Sequence, residues 1–423
     1  MKNNKLTTAD IFRENQDEFL EKYGRLLSPE QIKAARDIMA CRTSEMGGHC
    51  EHRRCDECGH ETQAYNSCGN RACPKCGALA KEKWLAKRRS ELLPVQYFHV
   101  VFTIPKQIED LSLINRRVIY NILFKTSSKT MLTIAKDLKH LGARIGFTSV
   151  LHTWGSTLLH HPHVHMIVPG GGISSDSRRW VNCREDFFLH VNVLKSLFRR
   201  LFLEALKNAY AAGKLRFTGK SGKFAHPKAF DRFLKKHRSM GWVVYAKAPF
   251  GGPETTLNYL ARYTHRTAFS NHRLIGMSNG NVSFHYKDYK KEGEKRVMTL
   301  TSTEFVRRFL MHVLPKGFMR IRHYGLFANS CRTGNIALCR RLLNAPEPQS
   351  IEHYDEMDWD EKYLALTGHD PLLCPHCKKG RLRLVTKEAK LPVEITTIAD
   401  EPSQPGGGES HGAPERKRDS LQT

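Results

Sequence analysis

The stretch His152-Thr-Trp-Gly-Ser-Thr-Leu-Leu-His-His-Pro-His-Val-His-Met-Ile-Val-Pro-Gly-Gly-Gly172 decides how the rest of the chain is read. From His163 to Val168 the residues alternate and are rich in β-branched side chains. Pro162 precedes them, and Pro169 with three glycines follows, so a short strand is predicted. Successive strand side chains point to opposite faces. His163 and His165 therefore share one face, while Val164 and Met166 turn to the other. Two imidazoles side by side on a rigid strand form half of a divalent-metal site. His161 joins that face if the strand runs through Pro162. His152, His160, or a carboxylate or glutamine elsewhere are rivals for the third ligand. A pair of half-buried structural histidines gives the same pattern, and 22 histidines in 423 residues yield about one His-x-His by chance.

A second feature adds weight. The segment from Pro253 to Arg266 is predicted helical, with Pro253 near its start and Glu254 in the first turn. A spacing of four then puts the phenols of Tyr259 and Tyr263 on one face, although aromatics so spaced commonly pack. Together the two features describe one chemistry: a metal on paired histidines polarises a phosphodiester, and a tyrosine hydroxyl attacks phosphorus to form a covalent protein–DNA link. Free tyrosine ionises near pH ~10, so the attacking hydroxyl needs positive charge nearby. The ion and Arg262 are candidates to supply it.

The whole chain bounds the partners. Its 68 Lys+Arg against 42 Asp+Glu give a net charge of +26, which calls for a polyanion such as DNA. No apolar run approaches the roughly 18 residues a spanning helix needs, so no membrane partner is expected. The N-terminus has no apolar core behind its lysines, so a cytoplasmic, nucleoid-associated protein is expected, with cysteines serving as metal ligands rather than disulfides. No Gly-x-x-x-x-Gly-Lys loop is present, and no nucleotide cofactor is expected.

Residues 7–40 are predicted to form two helices, the second opened by Ser28-Pro29-Glu30-Gln31 as a capping box. Seven of the 12 cysteines follow: Cys41, Cys50, Cys55, Cys58, Cys68, Cys73 and Cys76. Cys55-Asp-Glu-Cys58-Gly and Cys73-Pro-Lys-Cys76-Gly are two knuckles, and the interval from Cys58 to Cys73 is that of a four-cysteine zinc site. About 0.3 Cys-x-x-Cys are expected in the whole chain by chance. A redox pair or buried free thiols are the alternatives. Cys41, Cys50 and Cys68 suggest a second zinc, with His49, His52 or His60 as fourth ligand. A basic helix beside this module (Lys81, Lys83, Lys87, Arg88, Arg89) is a candidate DNA contact, or simply a solvated face.

The run Val95–Ile104 is predicted to be a central strand ended by Pro105, followed by one long helix carrying Leu111, Ile114, Val118 and Ile122. Strands at 145–153 and at the histidines, a helix through Leu194–Ala205, and a strand at Trp242–Ala246 complete the order of a ferredoxin-like α+β palm. A helix after the last strand can lie across the histidine face, which would bring Tyr259 and Tyr263 to the metal. Beyond it, Ser278-Asn279-Gly280 marks a hairpin, a strand at Arg296–Leu300 continues that sheet, and Thr301-Ser-Thr-Glu304 caps a helix through Val313. Lys316, Arg320, Arg322 and His323 are candidate phosphate contacts. Cys374-Pro-His-Cys377 has no second pair near it in sequence. A zinc shared between two chains, sharing with Cys331 and Cys339, a site incomplete or finished only by the fold, and no metal at all are its alternatives.

Leu151-His-Thr-Trp-Gly, His161-Pro-His-Val-His165, Pro169-Gly-Gly-Gly172, Tyr259-Leu-Ala-Arg-Tyr263 and Arg320-Ile-Arg-His-Tyr-Gly325 together resemble the transposases of the ninety-one family of bacterial insertion sequences. These are two-tyrosine members of the His-hydrophobe-His (HUH) nuclease superfamily. The likeness runs from about Cys41 to Arg332, and departs from the family where Ala72 stands in place of the histidine often found before the second knuckle.

The resemblance implies a DNA transposase acting on single-stranded element ends and target through a 5′-phosphotyrosine. Mg²⁺ or Mn²⁺ would serve catalysis and Zn²⁺ structure, in rolling-circle transposition. A zinc-dependent DNA-binding protein, or a replication initiator using the same chemistry, is the alternative. The expected architecture is α+β, an HUH-type ferredoxin-like antiparallel palm preceded by a small helical and zinc-binding domain. Its expected parts are helices and zinc domain at 1–92, catalytic domain at 93–345, a C-terminal segment at 346–385 and a disordered tail at 386–423.

Overall fold

The computed structural model describes residues 6–185, 188–247, 255, 267–288, 291–346 and 357–390. Three helices open the chain: α1 (Thr8–Glu14), α2 (Gln16–Tyr23) and α3 (Pro29–Ala40). The predicted first helix is divided at Asn15, whose side chain donates back to the Ile11 carbonyl at 2.8 Å and so competes with the helical ladder. Ser28 and Gln31 form the expected capping box on α3.

Strands β1 (Gly48–Cys55) and β2 (Glu61–Tyr65) and helix α4 (Ala78–Ser90) make up the cysteine-rich segment. The central part follows as β3 (Tyr97–Thr103), α5 (Lys106–Ile114), α6 (Arg116–Lys136), β4 (Gly146–Trp154), β5 (His160–Pro169), a small ribbon of β6 (Gly171–Ile173) and β7 (Trp180–Asn182), then α7 (Val191–Ala211), α8 (Pro227–Ser239) and β8 (Val243–Lys247). The single helix expected after β3 is two. Asn115 interrupts it, with its carboxamide bonded to the Leu111 carbonyl and to both backbone groups of Arg216. At the end of β5, Gly171 is required by close approach: a Cβ there would lie 2.5 Å from the Val181 carbonyl oxygen.

After β8 come β9 (Leu274–Ser278), β10 (Asn281–Asp288), β11 (Glu294–Thr301), α9 (Ser302–Leu310), β12 (Ile321–Gly325), α10 (Arg332–Leu342), α11 (Trp359–Thr367) and β13 (Leu382–Lys390). Asn279 and Gly280 both take positive φ at the β9–β10 turn, as an Asn-Gly hairpin demands. Thr301 caps α9 by accepting from the Glu304 N–H, and that helix stops at Leu310 rather than Val313.

The chain is a mixed α+β protein with antiparallel sheets. Its five-stranded sheet has the order β12-β4-β5-β3-β8, every neighbouring pair antiparallel. Strand alternation gives it two unlike faces. Phe98, Val100 and Phe102 of β3, Val164 and Met166 of β5 and Phe147 and Leu151 of β4 turn to one side. There they bury against Ile119, Leu123 and Phe124 of α6 and Phe198 and Phe202 of α7. The opposite side carries His99, Val101, His152, His163 and His165. Apolar burial at about 25 cal/mol per Å² on the first side makes the second a rigid platform.

A second core joins distant parts. Ala9, Ile11 and Phe12 of α1 and Ala34 and Ile38 of α3 pack with Val282 and Phe284 of β10 and with Phe305 and Phe309 of α9. Thr8 Oγ1 donates to Asn271 Oδ1 at 2.7 Å, and Gln31 Nε2 to the Leu310 carbonyl at 2.8 Å. The N-terminal helices thus pack both on residues beyond 267 and on Cys41 and Cys73 of the cysteine segment. The expected tail begins too early. Residues 386–390 belong to β13, which pairs antiparallel with β1 from Gly48↔Lys390 to Cys55↔Leu382. The sheet β13-β1-β2 therefore fuses the expected C-terminal segment to the cysteine module.

Candidate metal centres

β5 is longer than predicted and does run through Pro162, so His161, His163 and His165 alternate on one face. Proline has no N–H for the ladder, and the β4–β5 register shifts between His152 and Trp154, opposite this point. β4 places His152 directly across from His163. One nitrogen from each of His152, His163 and His165 lies within 4.8 Å of the others, with His152 and His165 buried and His163 half-buried.

Local contacts prepare these rings. His163 Nδ1 lies 2.6 Å from the His161 carbonyl oxygen, which makes Nδ1–H the donor and leaves Nε2 with its lone pair. His165 Nδ1 is 2.8 Å from Nε2 of His99 on β3, a neighbour that spacing alone did not single out. Desolvation, reinforced by His161, holds His163 at a pKa of about 3. Burial holds His165 well below the ordinary 6.5, and His99 at about 4. Neutral rings packed this closely suit a divalent cation, and a donor set of imidazoles accepts Mn²⁺ more readily than Mg²⁺, which prefers oxygen. His161 shares the face but turns to α5, where its Nδ1 sits 2.5 Å from Glu109 Oε1. His160 is on the opposite face, its Nε2 2.8 Å from Ser112 Oγ. The third nitrogen beside His163 and His165 is therefore that of His152.

Tyr259, Tyr263 and Arg262 lie outside the described residues. Of the other expected DNA contacts, Lys87 and Arg89 are exposed on α4. Arg88 is not available to phosphate: it is buried, bonded to Glu91 Oε1 at 2.7 Å and beside His323 Nε2 at 3.3 Å. Burial lowers its pKa to about 10. Arg322 is held by Asn121 Oδ1 at 2.6 Å and stacks on Phe124, 4.2 Å from the ring centre. Arg320 lines a cavity of about 660 Å³ with Arg71, Lys33, Lys316 and Trp154. Burial and then the charge of Arg71 lower its pKa to about 10. Trp154 in turn stacks on His152 at 4.5 Å, so the cavity adjoins the histidines.

The cysteines form two clusters, wired differently from the sequence expectation. Cys73 and Cys76 gather with Cys41 and Cys68, and Cys55 and Cys58 gather with Cys374 and Cys377. The two N-terminal knuckles do not share a site, because β1 and β2 carry the first away from the second while β13 brings the C-terminal knuckle to it. In the first cluster Cys76 Sγ lies 3.4 Å from Cys41 Sγ and 3.6 Å from Cys68 Sγ. In the second, Cys55–Cys377 and Cys58–Cys374 are each 3.7 Å apart. Thiolates at about 2.3 Å around a tetrahedral zinc stand roughly 3.8 Å from one another, so both clusters fit that ion. Cys50 belongs to neither cluster and sits 3.6 Å from His52 Nε2. No histidine is needed as a fourth ligand, which resolves the departure at Ala72.

Comparison with known proteins agrees with this construction. Residues 11–104 match the family described as "Transposase zinc-binding domain", of the IS91 type, and residues 146–334 match the family described as "Putative transposase". The chain is 47% identical over 374 residues to "Putative transposase y4qJ" of Sinorhizobium fredii, covering 88% of this chain and 93% of that one. It is 27% identical over 305 residues to "Transposase for insertion sequence element IS801" of Pseudomonas savastanoi pv. phaseolicola, covering 71% of this chain and 70% of that one. No solved structure matches significantly. These matches define a transposase. The chain belongs to the IS91 family of insertion-sequence transposases, with the family's zinc-binding domain at its N-terminal end. Among the described residues, no helix is long and apolar enough to cross a membrane.

Proposed function

We propose that this transposase nicks and rejoins single-stranded DNA by tyrosine transesterification at the His152–His163–His165 centre. The observation that carries the reading is the convergence of these three imidazoles on the sheet face opposite α6 and α7. The strand order β8-β3-β5-β4, with α6 and α7 packed across the face opposite the histidines, supports a ferredoxin-like HUH palm widened by β12. His152, His163 and His165 would hold Mg²⁺ or Mn²⁺, which when bound withdraws charge from a non-bridging phosphate oxygen. The sheet keeps the three rings in register, and the His161 carbonyl keeps the His163 tautomer. Tyr259 or Tyr263 then attacks phosphorus through its phenolic oxygen. The phosphorus–tyrosine bond forms as the bond to the 3′ oxygen breaks, and the free 3′-hydroxyl takes up a proton. The second tyrosine can accept a second strand by the same exchange, so no nucleotide is consumed and rolling-circle transfer can proceed. The surplus of 26 positive charges binds the DNA backbone, with strong salt dependence.

The test is incubation of the full chain with element-end oligonucleotides and Mn²⁺, followed by denaturing gels. A covalent protein–DNA adduct is expected from the native chain and from neither Tyr259→Phe/Tyr263→Phe nor His163→Ala. An adduct that persists in the double phenylalanine variant would assign the nucleophile to another residue and overturn the tyrosine reading, and none with a verified end strand leaves only a DNA-binding protein.

A further inference from the structure

We infer that Cys55, Cys58, Cys374 and Cys377 bind a second zinc ion, which staples the C-terminal strand β13 to β1. This reading is independent of the tyrosine chemistry. Cys374 and Cys377 lie beyond both matched family regions, which end at residues 104 and 334.

Several features make this a built site rather than a chance meeting of thiols. Each knuckle turns a backbone N–H toward sulfur: Cys58 N to Cys55 Sγ at 3.5 Å, and Gly380 N to Cys377 Sγ at 3.4 Å. Such donors stabilise thiolate. Gly380 is demanded by the site, since a Cβ there would stand 2.6 Å from Cys55 Sγ. The turns are tied across the join as well. Asp56 accepts from Arg381 N at 2.7 Å and from Arg383 Nε at 3.0 Å, and Asp56 N donates to the Arg381 carbonyl at 3.1 Å. His60 and His376 stack at 5.3 Å beside the sulfurs.

The packing also leaves the ion a task. Among the described residues the buried apolar cluster here is small, Cys55, Cys374 and Leu382 with Cys377 packed against them. That is too little to order the two turns against the entropy of closing the long loop from Cys58 to Cys374. Pairwise disulfides would hold their sulfurs at about 2 Å, whereas these stand 3.7 Å apart. Four convergent thiols without bonds between them are the usual design of a small zinc-ordered module. The ion would then seat α11 near α4, where Arg53 lies over the Trp359 ring at 5.6 Å. The C-terminal segment thereby becomes part of the zinc head.

The experiment replaces zinc with Co²⁺ in the full chain and reads the visible absorption of tetrahedral cobalt thiolate. Two equal sites are expected in the native chain. Cys374→Ser/Cys377→Ser should remove half the absorption, and Cys68→Ser/Cys76→Ser the other half. Cys377→His should retain the ion while shifting the bands to shorter wavelength, which reads the ligand directly even if the serine variant folds poorly. Unchanged cobalt bands in Cys377→His, or full absorption in a soluble Cys374→Ser/Cys377→Ser chain, would overturn the assignment.

Discussion

The histidine centre and the Cys55–Cys377 centre place ligands around one point by opposite means. The histidines stand on adjacent strands whose other face is locked into the largest core, so their positions cost the ion nothing to establish. The cysteines come from the two ends of the chain and bury almost no apolar surface around them. One site is held by the fold, and the other holds the fold. The difference suits the roles proposed: a reacting centre must admit and release a substrate without losing its shape, whereas a staple needs to close once.

That contrast can be broken in several ways. The largest effect is expected from chelation. Stripping zinc should release the segment after residue 370 to proteases while the helical circular dichroism of the main core persists; loss of both together would contradict the contrast. Core truncation should do the reverse. Phe102→Ala, a fully buried ring against Phe198 at 4.9 Å, is expected to cost about 3–5 kcal/mol in denaturant unfolding, with cobalt absorption by the cysteines retained.

Acid should act next. His312 is buried, and desolvation holds it at a pKa of about 4 against an ordinary 6.5. The unfolded chain binds a proton there that the folded chain refuses. Stability is therefore complete above pH 6.5 and falls as pH drops toward 4, by roughly 3 kcal/mol for this group, readable as a falling urea midpoint. The smallest effect is local: Ser28→Ala removes the α3 cap and should cost about 1 kcal/mol, without changing metal content.

The parts legible in the sequence are those governed by near neighbours. The period-2 pattern between Pro162 and Pro169 showed the strand and the shared face of His163 and His165, and the α3 capping box stood in four consecutive residues. His152 required one step more. The hairpin between β4 and β5 sets it opposite His163, a register that an antiparallel pairing of the two strands would have disclosed. The knuckle wiring was not legible, because Cys-x-x-Cys spacing fixes the ligands within a pair but not which pair closes the tetrahedron. β12 and α8 were also missed. β12 is short and reads Ile-Arg-His-Tyr-Gly, with polar residues on an edge strand, whereas Phe230, Phe233, Leu234 and His237 of α8 stand at helical spacing and were a legible apolar face.

The most direct measurement is Mn²⁺ binding to the zinc-loaded full chain, followed by electron paramagnetic resonance at pH 7.5. One manganese ion per chain is expected, displaced by Mg²⁺ and lost in His152→Ala and in His163→Ala/His165→Ala while both variants keep their native melting profile. Undiminished manganese binding in folded variants lacking these imidazoles would contradict the account at its centre.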